Sequence, residues 1–401
     1  LKRIGGGKNM FSSKNKNLDE LLLFIEENID LEHQKEVEKL HVKVNKFEPV
    51  PFLPLSIFPE GGDFFHYDEA SNLYPYQEAF NDPEKMMYNE LVKTVFTGST
   101  YSSIQIKDYF PLQIRSNHGI GIIASMFGME TKILNNILPF VIPNQEKDEL
   151  KKIVKRGIPD FKAGLGQRVY DTYQFYREKL KEYPKCTKGI KITHPDMQGP
   201  FDIAHQIIGS DIFLMLYDQP VLIHELLALI TQTYIQYRKF IEDYYHLNDK
   251  ADEEMIYIHG DICYGKVVIK DDTPQVSLSP KMYQEFAWQY NQQIFDEFKG
   301  TYHCCGRIND HIYEFLDQNK NVKGINYGNP ENHNIRDIYR KNKGNQRAIY
   351  TWGWNQDYSY LAEVLEDEEI RTGITLACKV KDIEDGKRII GEYLNEYACR
   401  I

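Results

Sequence analysis

The string Tyr302-His303-Cys304-Cys305-Gly306 sets an imidazole and a thiol two positions apart. On an extended strand alternate side chains share a face, so His303 and Cys305 point one way and Cys304 the other. Zinc takes such mixed nitrogen and sulfur donors, and a catalytic site needs only three protein ligands with a fourth position open. Gly306 lets the chain turn away sharply behind them. The competing reading is a core histidine beside a core cysteine. A third donor has to come from elsewhere. Cys378 closes the apolar run Gly373-Ile374-Thr375-Leu376-Ala377-Cys378, and reaches the same end of the fold if that run is the last strand or its exit. Cys263 is the alternative. Cys186, in a Pro-flanked loop, and Cys399, on a helix end, are poorer candidates.

Other polar residues fall at the ends of apolar runs. Arg115 can grip a substrate carboxylate or sulfonate through two parallel hydrogen bonds, or form an internal ion pair with a buried Asp. Asn117 follows it closely. His194, Asp196 and Gln198 occupy alternate positions after the run 189–193 and can face a cleft together, although Asp196 can also cap the helix opened by Pro200. Asp261, next to His259-Gly260, is a candidate substrate contact and a candidate acceptor for the second ring nitrogen of His303, which a metal-bound histidine needs. It can equally be a loop cap.

Positioning these residues takes many strand ends at one place. Strands are expected over 52–57, 110–116, 189–193, 255–261, 301–305, 322–327 and 347–352, with 373–378 as the last. Helices are expected over 83–95, 169–182, 200–209, 220–245, 280–298, 310–318 and 382–397. Such alternation implies parallel strands joined by crossover helices. No glycine-rich phosphate-binding turn stands at any strand–helix junction, which argues against a nucleotide-binding open sheet. Polar candidates at the ends of many different strands fit the mouth of a barrel. The expected fold is therefore α/β: a single TIM (β/α)8 barrel over 46–401, preceded by a flexible leader and helical arm over 1–45. The arm carries Leu18, Leu21, Leu22 and Ile25 as an apolar stripe. That stripe needs a partner surface, either the chain's own barrel or the second subunit of a homodimer.

The 401 residues carry 48 Lys+Arg against 59 Asp+Glu, a formal net charge of -11 that argues against wholesale nucleic-acid binding. No apolar stretch is long enough to span a membrane. Six irregularly spaced cysteines do not make a disulfide scaffold, and no apolar signal core follows Lys2-Arg3. The expected setting is reducing and cytoplasmic, with free or metal-bound thiols.

Two strings carry a family resemblance. Leu278-Ser279-Pro280-Lys281-Met282-Tyr283-Gln284-Glu285-Phe286, followed by His303-Cys304-Cys305-Gly306, resembles the uroporphyrinogen decarboxylase superfamily. Within it the match is to the zinc-containing, corrinoid-dependent methyltransferases, the methylcobalamin:coenzyme M methyltransferases among them. That branch binds zinc through His-x-Cys and one later Cys; His303 and Cys305 fit the first element, and Cys378, 73 residues after Cys305, fits the second. Arg115-Ser116-Asn117-His118-Gly119 and Asp196-Met197-Gln198-Gly199-Pro200-Phe201-Asp202 also resemble superfamily strings. The likeness spans roughly residues 50–401.

Departures from the family pattern narrow what the resemblance implies. The decarboxylase itself has an arginine-rich string near its first strand, and residues 52–59 here contain none. Where cobalamin-independent methionine synthases place a zinc-bound Glu, this chain has Asn326 and Tyr327. The implied function is transfer of a methyl group between a corrinoid and a small thiol, with zinc favouring the thiolate as nucleophile. None of the twelve histidines has Asp two residues before it, as a corrinoid-binding D-x-H-x-x-G requires. The methylcorrinoid is therefore expected as a co-substrate on a separate corrinoid protein. The alternatives are a decarboxylase-like enzyme of porphyrin metabolism and a catalytically degenerate barrel that binds corrinoid proteins.

Overall fold

The computed structural model describes residues 16–59, 73–95, 103–144 and 147–398. The leader before residue 16, His66 and Cys399 lie outside the described residues. Among the described residues there are twelve strands: β1 (Leu55–Pro59), β2 (Gln113–Arg115), β3 (Glu130–Lys132), β4 (Phe140–Ile142), β5 (Lys191–Thr193), β6 (Met255–Ile258), β7 (Asp261–Tyr264), β8 (Val267–Lys270), β9 (Gly300–Cys304), β10 (Val322–Tyr327), β11 (Ala348–Trp352) and β12 (Ile374–Val380). β8, β11 and β12 are near-continuous apolar runs buried on both faces, as parallel strands flanked by helices must be.

The central sheet is parallel and six-stranded, in the order β1-β12-β11-β10-β9-β8. Sequential strands are neighbours and the last strand returns to the first, which gives a barrel-like α/β fold rather than a doubly wound sheet. β2 and β5 form a separate parallel pair. No ladder joins β1 to β2 or β5 to β8 among the described residues. Single backbone bonds cross both gaps, from Tyr109 N to the Leu55 carbonyl at 3.0 Å and from Gly199 N to the Lys270 carbonyl at 2.7 Å.

The expected strand 255–261 is instead a hairpin. The chain reverses at His259 and Gly260, both at positive φ (54° and 78°), the conformation that two-residue hairpin turns demand. The expected strand ran β6 on through the turn to Asp261 and left β7 unseen. Asp261 thus opens β7 rather than closing β6. β7 packs against β9, β10 and β11 of the central sheet.

Two helices, Leu18–Asn28 and Leu31–Asn45, form the arm, capped by Asn17 and Asp30. Leu18, Leu21, Leu22 and Ile25 are buried in the same core as the central sheet, so the stripe's partner is this chain itself. The second helix is anchored by His41. Its Nδ1 lies 2.8 Å from Asp261 Oδ1 and its Nε2 donates to the Tyr109 carbonyl at 2.9 Å. No helix among the described residues is long and apolar enough to cross a membrane.

Candidate metal centre

β8 and β9 run side by side, with Lys270 opposite His303. Thr301, His303 and Cys305 face one side of β9, while Tyr302 and the buried Cys304 face the other. His303 and Cys305 converge as expected: Cys305 Sγ lies 3.5 Å from His303 Nε2. The third member of the group is Asp272, the first residue of the short helix Asp272–Ser277 that follows β8. Its Oδ1 accepts from the Cys305 backbone N–H at 2.6 Å and lies 3.9 Å from His303 Nε2. One ligand atom from each of Asp272, His303 and Cys305 lies within 4.8 Å of the other two.

The tautomer of His303 follows from its surroundings. Asn326, opposite His303 on β10, donates its amide to the Tyr350 carbonyl at 3.1 Å, which turns its Oδ1 toward His303. His303 Nδ1 donates to that oxygen at 2.6 Å, leaving the Nε2 lone pair directed at Cys305 and Asp272. Burial, helped by the charge of Lys270, holds His303 below the usual imidazole range, in the neutral form a metal requires. Loss of hydration and the adjacent Asp272 carboxylate push the Cys305 thiol up to about 12.

This donor set fits zinc. On a tetrahedral ion, sulfur at ~2.3 Å and nitrogen at ~2.0 Å stand roughly 3.5 Å apart, the spacing observed. The Asp272 oxygen sits about half an ångström wider than such an ion needs. A carboxylate, a thiol and an imidazole lone pair crowded together repel one another as the thiol ionises, and a cation among them reverses that cost.

Cys378 takes no part in this group. Thr375 on β12 bonds to Asp261 of β7, so Cys378, three residues on, faces the opposite way. Its register partner Ile57 packs against Gly386 of the helix Ile383–Ala398, and the Cys378 thiol is buried on that outer side. Cys263 lies in β7, buried beneath the mouth, and Cys186 hydrogen-bonds to the Leu22 carbonyl under the arm. The group of potential donors thus has Asp272 where Cys378 was expected.

Against this geometry stand the comparisons with known proteins. No protein-family model and no curated protein matches the chain. A methyltransferase from Methanosarcina mazei shares its fold. That structure superposes with a TM-score of 0.62 at 15% identity, covering 90% of this chain and 99% of that one.

Around Asp272, His303 and Cys305 lies a charged lobe built from the ends of β2, β5 and β8 and the tip of the β6–β7 hairpin. Asp196 sits at its centre, with Lys270 Nζ 2.6 Å from Oδ1, Arg115 Nη1 3.3 Å from Oδ2 and His259 Nε2 3.7 Å from Oδ1. Burial opposes ionisation of Asp196, but the charges of Lys270, Arg115 and His259 together outweigh it and hold the carboxyl far below its usual range. Arg115 therefore makes the internal ion pair, not an open fork for substrate. The remaining expected site residues part ways. Asn117 donates to Glu90 at 2.9 Å, and Gln198 is buried. His194 is buried with its Nδ1 on the Pro195 carbonyl at 2.9 Å, and burial lowers it to about 3. Asp261 does not orient His303. It accepts from Thr351, Thr375 and its neighbour's backbone N–H and pairs with His41 below the mouth.

Sequence reasoning missed Asp272, Lys270, His259 and the orienting role of Asn326. β8 escaped notice because only the turn at Gly265-Lys266 separates it from β7. The pattern Val267-Val268-Ile269 followed by Lys270-Asp271-Asp272 was the available signal: a buried strand ending in charged residues at the mouth.

Proposed function

We propose that this chain is a methyltransferase that moves a methyl group between a methylcorrinoid, carried by a separate corrinoid protein in the cytoplasm, and a small thiol. The observation that carries the reading is the meeting of Asp272, His303 and Cys305 at the ends of β8 and β9. The barrel-like fold shared with a methyltransferase supports it. Asp272, His303 and Cys305 would hold one zinc ion at the mouth of a closed barrel spanning 46–401. Bound zinc would leave a coordination position open for the substrate thiol and favour its thiolate form.

This chain's own residues do the rest. Asn326 fixes the tautomer of His303 and holds its ring in one orientation. The Cys305 backbone N–H holds Asp272 beside the thiol. Lys270, Arg115 and Asp196 form a rigid polar wall next to the reacting position, and fixed charges of this kind need no reorganisation during transfer. Alignment of a thiolate with an incoming methyl group is positioning work, for which a wall anchored on three strand ends is suited.

The test supplies zinc-loaded protein with methylcobalamin and a panel of small thiols, and follows demethylation from the cobalt spectrum. The expected result is thiol-dependent demethylation that His303→Ala abolishes. Absence of any such reaction, with free methylcobalamin and with methylated corrinoid proteins, overturns the reading.

A further inference from the structure

Asp272 reaches the metal-binding group from the first turn of the short helix Asp272–Ser277, not from a strand, so something has to hold that helix start. The segment 196–202 does so at three points. At its start, Asp196 pairs with Lys270 Nζ at 2.6 Å. In its middle, the Gly199 N–H donates to the Lys270 carbonyl at 2.7 Å. At its end, the Asp202 carboxyl accepts from the Thr273 backbone N–H, with Oδ1 at 3.1 Å and Oδ2 at 3.4 Å. Lys270 and Thr273 bracket Asp272 in sequence. Each bond falls on a residue that the string Asp196-Met197-Gln198-Gly199-Pro200-Phe201-Asp202 places at fixed spacing.

The middle point tolerates only glycine. A Cβ at 199 would stand 2.6 Å from the Lys270 carbonyl oxygen and 3.4 Å from Asp271 Oδ1, and a backbone oxygen cannot swing aside as a flexible side chain can. Pro200 then opens the helix Pro200–Ile208, which places Asp202 in its first turn. Asp202 is buried, so its bond to Thr273 is shielded from water.

We propose that the segment 196–202 is a clamp that positions the metal ligand Asp272, with Asp202 as its positioning residue. The inference rests on the reading of Asp272, His303 and Cys305 as a metal site. Without the clamp the helix start at 271–273 is held at fewer points, and the Asp272 oxygen, already wide of its ligand position, keeps only the Cys305 N–H to hold it there. Outer partners of metal ligands typically set affinity by about 10–100-fold.

The experiment compares wild type with Asp202→Ala, Asp202→Asn and Gly199→Ala, each confirmed folded by thermal melting. It measures zinc affinity by competition with a chromophoric chelator, and the visible spectrum of the cobalt(II)-loaded proteins. Asp202→Ala and Gly199→Ala should bind zinc about 10–100-fold more weakly and show altered cobalt d–d bands. Asp202→Asn retains an oxygen acceptor for the Thr273 N–H and should restore both the affinity and the spectrum. If Asp202→Ala does not fold, Gly199→Ala against Asp202→Asn carries the same comparison. Wild-type affinity and spectrum in the disrupting variants overturn the clamp, as does an Asp202→Asn as weak as Asp202→Ala. A wild-type chain that binds neither metal overturns the metal site and the clamp together, which separates the two failures.

Discussion

Cys305→Ala should lose stoichiometric zinc, whereas Cys378→Ala should keep it. The two cysteines are equivalent in a reading of spacing alone but not in the folded chain. Cys305 Sγ stands 3.5 Å from His303 Nε2, and the Cys378 thiol is buried on the helix side of β12. Removing a ligand itself should cost more than the about 10–100-fold typical of an outer partner, so Cys305→Ala and His303→Ala are expected to weaken zinc binding by more than ~100-fold. Metal content of the purified variants, checked by elemental analysis after dialysis, reads this directly. Zinc lost from Cys378→Ala and retained in Cys305→Ala would place the site elsewhere.

Asp261→Ala should be the most destabilising single change near the site while leaving zinc affinity nearly unaltered in the folded fraction. Its buried carboxylate is shared by the hydroxyls of Thr351 and Thr375, the Ile262 N–H and the His41 imidazole. Truncation strands all four partners at the junction of β7, β11, β12 and the arm. Breaking a buried pair or network by removing one partner costs about 3–5 kcal/mol. Denaturant unfolding should show that loss as a lower midpoint. A residue that only contacted substrate would instead raise KM with stability unchanged, and that outcome would return Asp261 to the site.

Much of the fold was legible because its signals are local. The alternation of apolar runs with helical stretches revealed the parallel sheet, and the strand period of two brought His303 and Cys305 to one face. Cys378 was expected from its spacing after Cys305, which does not say which way its side chain points. Its face depends on which of Thr375 and Ile374 points inward, and the buried partner Asp261 decides that from a different part of the chain. Asp261 in turn was misplaced because the expected strand was run on through His259-Gly260, where the chain in fact reverses. Asp272 was invisible for a related reason. An Asp at the first position of a short helix reads as a first-turn acid, and only the Lys270–His303 register shows that it overhangs Cys305. The ambiguity at Arg115 between substrate grip and internal ion pair is one that sequence cannot resolve, since it turns on the distance to Asp196.

The most direct test of thiol activation at this site is zinc-edge X-ray absorption of the zinc-loaded protein, recorded before and after addition of an accepted thiol. One protein sulfur at ~2.3 Å with nitrogen and oxygen at ~2.0–2.2 Å is expected at rest, rising to two sulfurs when the thiol binds. Two sulfurs before any thiol is added, or a single sulfur unchanged at saturating thiol, would contradict the account.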